Sequence, residues 1–374
     1  MRIAGRLAVC AVVAGLIVAG AKPALAAGRP GPAGTTSPAA SAVPAASAVP
    51  AASSGPAGVR ARSAELIDAT TGKNLWSRAS ATERPMGSIT KVMTAYVVIE
   101  AGDLNRVITV PSGIVAYDDK YDASTAGLVP GEKLTALQLL YALMLPSGCD
   151  AAYTLAAAYG PGTAAFIGKM NATAKKLGLT RTHFSDFSGL PDPTEDSTYS
   201  TASNLVGLGR AAMKLPLLRQ VVGTRSYKLA AGHGHRAHVW TNLNPLLGKY
   251  PGATGIKTGF TSAAGDCLLF SAVRGKRDLI GVVLDSSSSI NGLNVAAADA
   301  EAMLNWGFSR LPAAGDRRPP PPAGRRRSRC QCGSMQLTMR DRKVVSHAGP
   351  PTGNPRFPAD GQQAGGRQAA PPPR

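Results

Sequence analysis

Ser88-Ile89-Thr90-Lys91 opens a long apolar segment that continues through Val92-Met93-Thr94-Ala95-Tyr96-Val97-Val98-Ile99. Residues three apart share one face of a helix, so a helix over Ser88–Ala101 brings the Lys91 amine to the Ser88 hydroxyl. A lysine neutralised by burial or by a neighbouring cation can take the proton of a serine and make it a nucleophile. Taken alone, the pair is equally an ordinary helix start and a solvated lysine. Two other stretches bear on the choice: Ser147-Gly148-Cys149, and Lys257-Thr258-Gly259 followed by Phe260 and Thr261.

Working outward, apolar periodicity predicts helices over Leu134–Met144, Asp150–Tyr159 with Asp150 as its cap, Thr163–Leu177 ended by Gly178, and Ser200–Met213. Strand patterns lie on both sides of this helical middle. Arg62–Asp68 and Leu75–Arg78 flank the turn Ala69–Asn74 and read as a hairpin. Tyr227–Leu229 pairs with Arg236–Thr241, and Cys267–Ala272 with Leu279–Leu284 across Val273-Arg274-Gly275-Lys276. A closing helix is expected over Ala296–Trp306. Strands at both ends with helices between imply an α/β (α+β) fold: an antiparallel sheet built from distant segments, flanked by helices, with an all-helical subdomain inserted.

The 374 residues carry a net charge of +19, and much of it falls late, where Arg317, Arg318, Arg325, Arg326, Arg327 and Arg329 crowd among prolines. Residues 312–374 therefore read as a disordered Pro/Arg-rich tail, either merely solvated or drawn to an anionic wall or membrane surface. At the other end, Arg2 and Arg6, the apolar run Leu7–Gly20 and Ala24-Leu25-Ala26 make residues 1–27 a secretory signal. Cys10 sits inside the apolar run, which argues against lipidation. Residues 28–57, rich in Ala, Pro and Ser, read as an extended spacer, leaving 58–311 as the folded domain. The mature chain is expected to be exported, without membrane spans and without a nucleic-acid partner. Cys149, Cys267, Cys330 and Cys332 do not make a dense disulfide framework.

The three motifs, in this chain order, are the signatures of penicillin-interacting serine enzymes. From about Val59 to Phe308 the chain resembles the serine D-alanyl-D-alanine carboxypeptidases, the low-molecular-mass penicillin-binding proteins. The likeness is carried by Arg84–Ala95, by Leu139–Ala152, by Phe187-Ser188-Gly189-Leu190-Pro191 with Tyr199-Ser200-Thr201-Ala202, and by Lys257–Thr261 with Ala264-Gly265. It implies a β-lactamase/DD-peptidase-like fold with the site in a cleft between sheet and helical subdomain. It also implies Ser88 as nucleophile, Lys91 as its base and Ser147 as proton relay to the leaving amine. Lys257, Thr258 and Gly259 would hold the substrate carboxylate and backbone, and the N–H groups of Ser88 and Phe260 would form the oxyanion hole. The implied partners are peptidoglycan stem peptides, with β-lactams as covalent inhibitors. No cofactor or metal is needed, and the expected location is extracytoplasmic and cell-wall associated.

Two departures stand out. Cys149 occupies the place where the resembling family usually has asparagine, and a thiol donates and accepts more weakly than an amide. No Lys or Arg lies between Arg277 and Arg310, where many relatives place a carboxylate-holding arginine. Rival readings are a β-lactamase, which needs a deacylating glutamate such as Glu195, a D,D-transpeptidase, and a wall-binding protein of the same fold that has lost turnover. His233, His235 and His238 read as a polar turn with no sequence-adjacent ligand to complete a metal set. Cys267 reads as core, and Glu132 as a turn or cap residue.

Overall fold

The computed structural model describes residues 55–289 and 293–310. The expected signal, nearly all of the spacer, and the arginine-rich tail with Cys330 and Cys332 lie outside the described residues. The described residues all belong to the first of two units, residues 1–314.

In chain order, β1 (Ser63–Asp68) and β2 (Asn74–Arg78) form a hairpin, and β3 (Arg84–Pro85) leads into a single 3-10 turn, Gly87–Thr90. Helix α1 (Lys91–Ala101) follows, then β4 (Val107–Thr109), α2 (Gly113–Tyr121), β5 (Lys133–Thr135), α3 (Ala136–Met144), α4 (Cys149–Tyr159) and α5 (Thr163–Lys176). After β6 (Tyr199–Ser200) come α6 (Ala202–Ala212) and α7 (Pro216–Gly223), then the β7–β8 hairpin (Ser226–Leu229, His238–Thr241). The chain closes with β9 (Ala253–Gly259), β10 (Cys267–Arg274), β11 (Arg277–Leu284) and α8 (Leu293–Arg310).

The five-stranded sheet has the order β2-β1-β11-β10-β9, all antiparallel, so β1 from the start of the domain lies beside β11 from its end. This is the sheet of distant segments that the strand pattern predicts. Both of its faces are covered. Leu66, Leu268, Phe270 and Val283 meet Ala300, Met303 and Leu304 of α8, while Ile67, Leu269, Ile280 and Val282 join the helical core. Side chains of a strand alternate between faces, so two covered faces make Cys267–Phe270 of β10 apolar at every position, and the buried Ser271 that follows pairs its hydroxyl with that of Thr254 at 2.7 Å. Truncating Phe270, which is fully buried, is expected to cost about 3–5 kcal/mol.

Helix α1 runs through the middle of the helical core, packed against α3, α4, α5, α6 and α7. It is buried nearly all round, including Val92, Met93, Ala95, Val97 and Val98. That position explains its apolar run, interrupted only by Thr94 before Glu100. Several boundaries differ from expectation, each for a local reason. The helix expected from Ser88 begins with the 3-10 turn, and Lys91 is the first α-helical residue. Asp150 does not cap α4; Gly148 does, and the Asp150 carboxylate instead accepts the N–H groups of Ala126, Leu128 and Ala151 at 2.8–3.0 Å. Thr201 caps α6 through Asn204 N at 3.1 Å, leaving Tyr199–Ser200 free to pair with β3. Helices α2 and α7 were not expected.

Candidate active site

The site forms where the 3-10 turn meets the end of β9. Within this turn Ser88 is half-buried and faces a cleft of about 510 Å³, whose wall also includes Ser124, Ser147, Thr258, Phe260 and Glu195. That volume suits a small peptide-sized ligand. Beneath Ser88, Lys91 is wholly buried, and its Nζ donates to Ser88 Oγ at 2.8 Å. It also donates to Cys149 Sγ at 3.3 Å and to the Ser188 carbonyl at 3.1 Å. The spacing of three therefore works through a tightened turn as it would through an α-helix.

Close packing holds the turn against the sheet. Gly87 has φ +51°, a left-handed backbone that glycine adopts without strain. A Cβ placed there would lie 2.8 Å from Phe260 N. Ser88, next to Gly87, and Phe260 both line the cleft. Gly259, at the end of β9, is equally tight against the Met86 carbonyl. Strand β9 is the sheet edge, so its outer backbone groups are available to a ligand strand.

Lys257 stands opposite Leu269 on β10, which puts it on the helix-facing side of the sheet. It is 2 % exposed, and its Nζ donates to Thr258 O at 3.1 Å and Thr258 Oγ1 at 3.4 Å. Burial pushes its ammonium well below the ordinary lysine range, with the charge of Lys91 adding to the effect and Cys149 opposing it. Among the described residues neither lysine forms a salt bridge.

Ser147 has φ +65° and a buried hydroxyl without a hydrogen-bond partner. A strained residue with an unpaired buried donor is the kind of cost that persists at functional sites. Its carbonyl accepts from Ser124 Oγ at 2.8 Å, and the Ser124 carbonyl accepts from Cys149 N at 2.8 Å. Thus Ser88, Lys91 and Cys149 are joined by hydrogen bonds. Ser147, Thr258, Gly259 and Phe260 share the cleft wall, while the Lys257 amine bonds to Thr258, its neighbour on β9.

The sequence reading missed Ser124 and the role of loop 186–190, whose Ser188 carbonyl holds Lys91. The motif Phe187–Pro191 was visible but came with no chemistry attached. Glu195 is an exposed part of the cleft wall. Cys149 and Cys267 are free thiols, and burial pushes the Cys267 thiol up to about 12. Glu132 takes the Val129 N–H at 2.8 Å, as a turn residue does, and also meets His238 Nε2 at 3.1 Å, a carboxylate that sequence proximity had hidden. No group of three or more potential metal-ligating side chains occurs among the described residues.

Residues 50–288 match the family Peptidase_S11, D-alanyl-D-alanine carboxypeptidase. The chain belongs to this family. It is 41% identical over 251 residues to the D-alanyl-D-alanine carboxypeptidase of Streptomyces sp. strain K15, covering 64% of this chain and 84% of that protein. It is 36% identical over 249 residues to DacB2 of Mycobacterium tuberculosis, covering 67% and 82%. The crystal structure of the Streptomyces K15 DD-transpeptidase is similar with a TM-score of 0.63 and 40% identity, covering 67% of this chain and 98% of that one. The S11 family members are serine peptidases with the penicillin-binding DD-peptidase fold, which fits the architecture described above.

Proposed function

We propose that the chain is a serine D,D-peptidase that cleaves the terminal D-Ala-D-Ala bond of peptidoglycan stem peptides through an acyl-enzyme. The observation that carries this reading is the buried Lys91 amine 2.8 Å from Ser88 Oγ at the floor of an open cleft. Ser88 Oγ attacks the carbonyl carbon of the penultimate D-alanine as its proton passes to Lys91. The developing oxyanion takes hydrogen bonds from the N–H groups of Ser88 and Phe260. Ser147, whose hydroxyl is otherwise unpartnered, relays the proton taken up by Lys91 to the departing amine of D-alanine, so that Lys91 is again neutral. Water then resolves the ester. The substrate carboxylate supplies Lys257 with the counter-charge it lacks, and Thr258 donates its hydroxyl. A β-lactam forms the same ester, but its amine stays tethered and release is slow.

A second reading is transpeptidation, favoured by the name of the 40%-identical structure. The same acyl-enzyme would then be resolved by an amine in place of water. Export by residues 1–27 would bring the chain to its substrate, and among the described residues no helix is long and apolar enough to cross a membrane.

The test is D-alanine release from a diacetyl-lysyl-D-Ala-D-Ala peptide, with and without an acceptor amine. Release by wild type and none by Ser88→Ala is expected. New peptide bonds formed at the expense of hydrolysis would mark a transpeptidase. Wild type that releases nothing under either condition would refute the reading in favour of a wall-binding protein.

A further inference from the structure

A neutral lysine amine has two N–H groups and one lone pair. At Lys91, Cys149 Sγ and the Ser188 carbonyl take two of the positions around Nζ, at 3.3 and 3.1 Å. The position left over faces Ser88 Oγ at 2.8 Å, which is where the lone pair of the base form has to lie. Its aim depends on where the Ser188 carbonyl oxygen is held.

That oxygen belongs to the peptide unit joining Ser188 and Gly189. A trans peptide is planar, with N–H and C=O pointing in opposite directions. The Gly189 N–H donates to Asp186 Oδ1 at 2.6 Å, so fixing this end directs the carbonyl at Lys91. The same oxygen accepts from Ser188 N at 2.7 Å, Ser188 Oγ at 2.8 Å and Leu190 N at 3.0 Å, while Oδ2 accepts from Tyr117 Oη at 2.6 Å. Asp186 is 1 % exposed and forms no salt bridge among the described residues. A buried carboxylate without a counter-ion is costly unless donors surround it, and here five do. Burial, with Asp186 beside it, pushes the Tyr117 phenol upward, which keeps it a donor.

The loop is also tied to the nucleophile turn directly. Thr94, three residues beyond Lys91 on α1, donates to the Phe187 carbonyl at 2.5 Å. Gly189 has φ +90°, and a Cβ there would lie 2.0 Å from the Gly87 carbonyl oxygen. Neither contact explains why a charged group should be buried at position 186. Orientation and polarisation of the peptide beside Lys91 do explain it, because a carboxylate at the N–H end strengthens the carbonyl as an acceptor.

We propose that Asp186 is a positioning residue for acyl transfer, aiming the Lys91 amine at Ser88 through the Ser188–Gly189 peptide, with Tyr117 holding its second oxygen. Asp186 touches neither the substrate nor the reacting atoms. The inference rests on the peptidase reading above.

The test is stopped-flow acylation by benzylpenicillin, which separates the reversible dissociation constant from the acylation rate constant. Asp186→Asn keeps the size of the side chain and loses its charge. It is expected to acylate about 10- to 100-fold more slowly, as small misplacements of reacting groups do, with the dissociation constant unchanged. Tyr117→Phe should change in the same direction by less. A merely structural role would lower the melting temperature and leave the acylation rate of the folded fraction alone. A folded Asp186→Asn acylating within about threefold of wild type would overturn the proposal. Should Asp186→Asn fail to fold, an unaltered rate in Tyr117→Phe would overturn it instead. Wild type that forms no ester dependent on Ser88 would sink the peptidase reading, and this proposal with it.

Discussion

Cys149 Sγ accepts a hydrogen bond from Lys91 Nζ at 3.3 Å, so the third residue of the second motif is a direct partner of the lysine beside Ser88. Sulfur is a weak acceptor, and an amide oxygen in its place would hold the amine more firmly. Cys149→Asn is therefore expected to acylate faster, by about 1 kcal/mol or about fivefold. Cys149→Ala removes the partner and should be slower than wild type by a similar factor. Acylation rates with benzylpenicillin check both, and an Asn variant slower than the Ala variant would show that the site is shaped around the thiol.

Lys257 illustrates the opposite balance. It is buried without a carboxylate partner, and burial pushes its ammonium well below the lysine range. Methionine has a similar length and no charge to desolvate. Lys257→Met should thus stabilise the fold by about 1–3 kcal/mol while D-alanine release falls steeply. A thermal melt and a release assay on the same preparation test the pair of effects. A variant that melts below wild type would contradict the argument.

The fold was legible where one contact type dominated. The apolar run of α1 and the strands β1, β10 and β11 announced themselves because burial on all sides makes most of their positions apolar. Helix α2 was hidden because Ile114 is its one fully buried side chain, and the rest of its inward stripe is the half-buried Tyr117 and Tyr121 beside charged Asp118, Asp119 and Lys120. Helix α7 does carry a stripe in Leu218, Val221 and Val222 behind Pro216, a start signal that stands in the sequence itself. Within the site, Ser88, Lys91 and Lys257 could be read because their motifs are short and local. Asp186, Ser124 and Tyr117 could not. Ser124 and Tyr117 have their partners in other segments, and although four of the donors to Asp186 lie in its own loop, nothing in the sequence around a loop aspartate says that its carboxylate will face a peptide beside Lys91.

Asp118 and Asp266 contribute to the pH dependence of stability, in the same direction as Asp150 and Asp278, which burial also raises, and against Glu132, which is lowered. Burial raises Asp118 to about 7, with Asp150 and Asp119 adding to the shift and Lys91 opposing it, and burial raises Asp266 to about 6. Unfolded aspartates titrate near about 4, so between pH ~4 and ~7 the folded chain keeps protons that the unfolded chain has released. Stability contributed by these groups is complete at the acid side of that window and is lost as pH rises through it. Asp118→Asn and Asp266→Asn should each flatten the decline and gain on the order of 1–3 kcal/mol at pH 8 relative to wild type. Urea melts at pH 5 and pH 8 measure this. Equal stabilities of wild type and both variants at pH 8 would contradict it.

Gly87 links backbone conformation to chemistry. Its φ of +51° is unfavourable for any residue with a Cβ, and that Cβ would press on Phe260 N at 2.8 Å and Phe260 C at 3.0 Å. Contacts this short are with backbone, which cannot swing aside as a side chain can. Relief must come from moving the Phe260 N–H away from the Ser88 turn, and oxyanion stabilisation depends on both donors pointing at one place. Gly87→Ala is expected to cost about 1–3 kcal/mol of stability and, separately, to slow acylation by about 100-fold or more. The second effect should persist at temperatures where the variant is fully folded. A variant that loses stability but acylates normally would mean that the Phe260 N–H takes no part in holding the oxyanion.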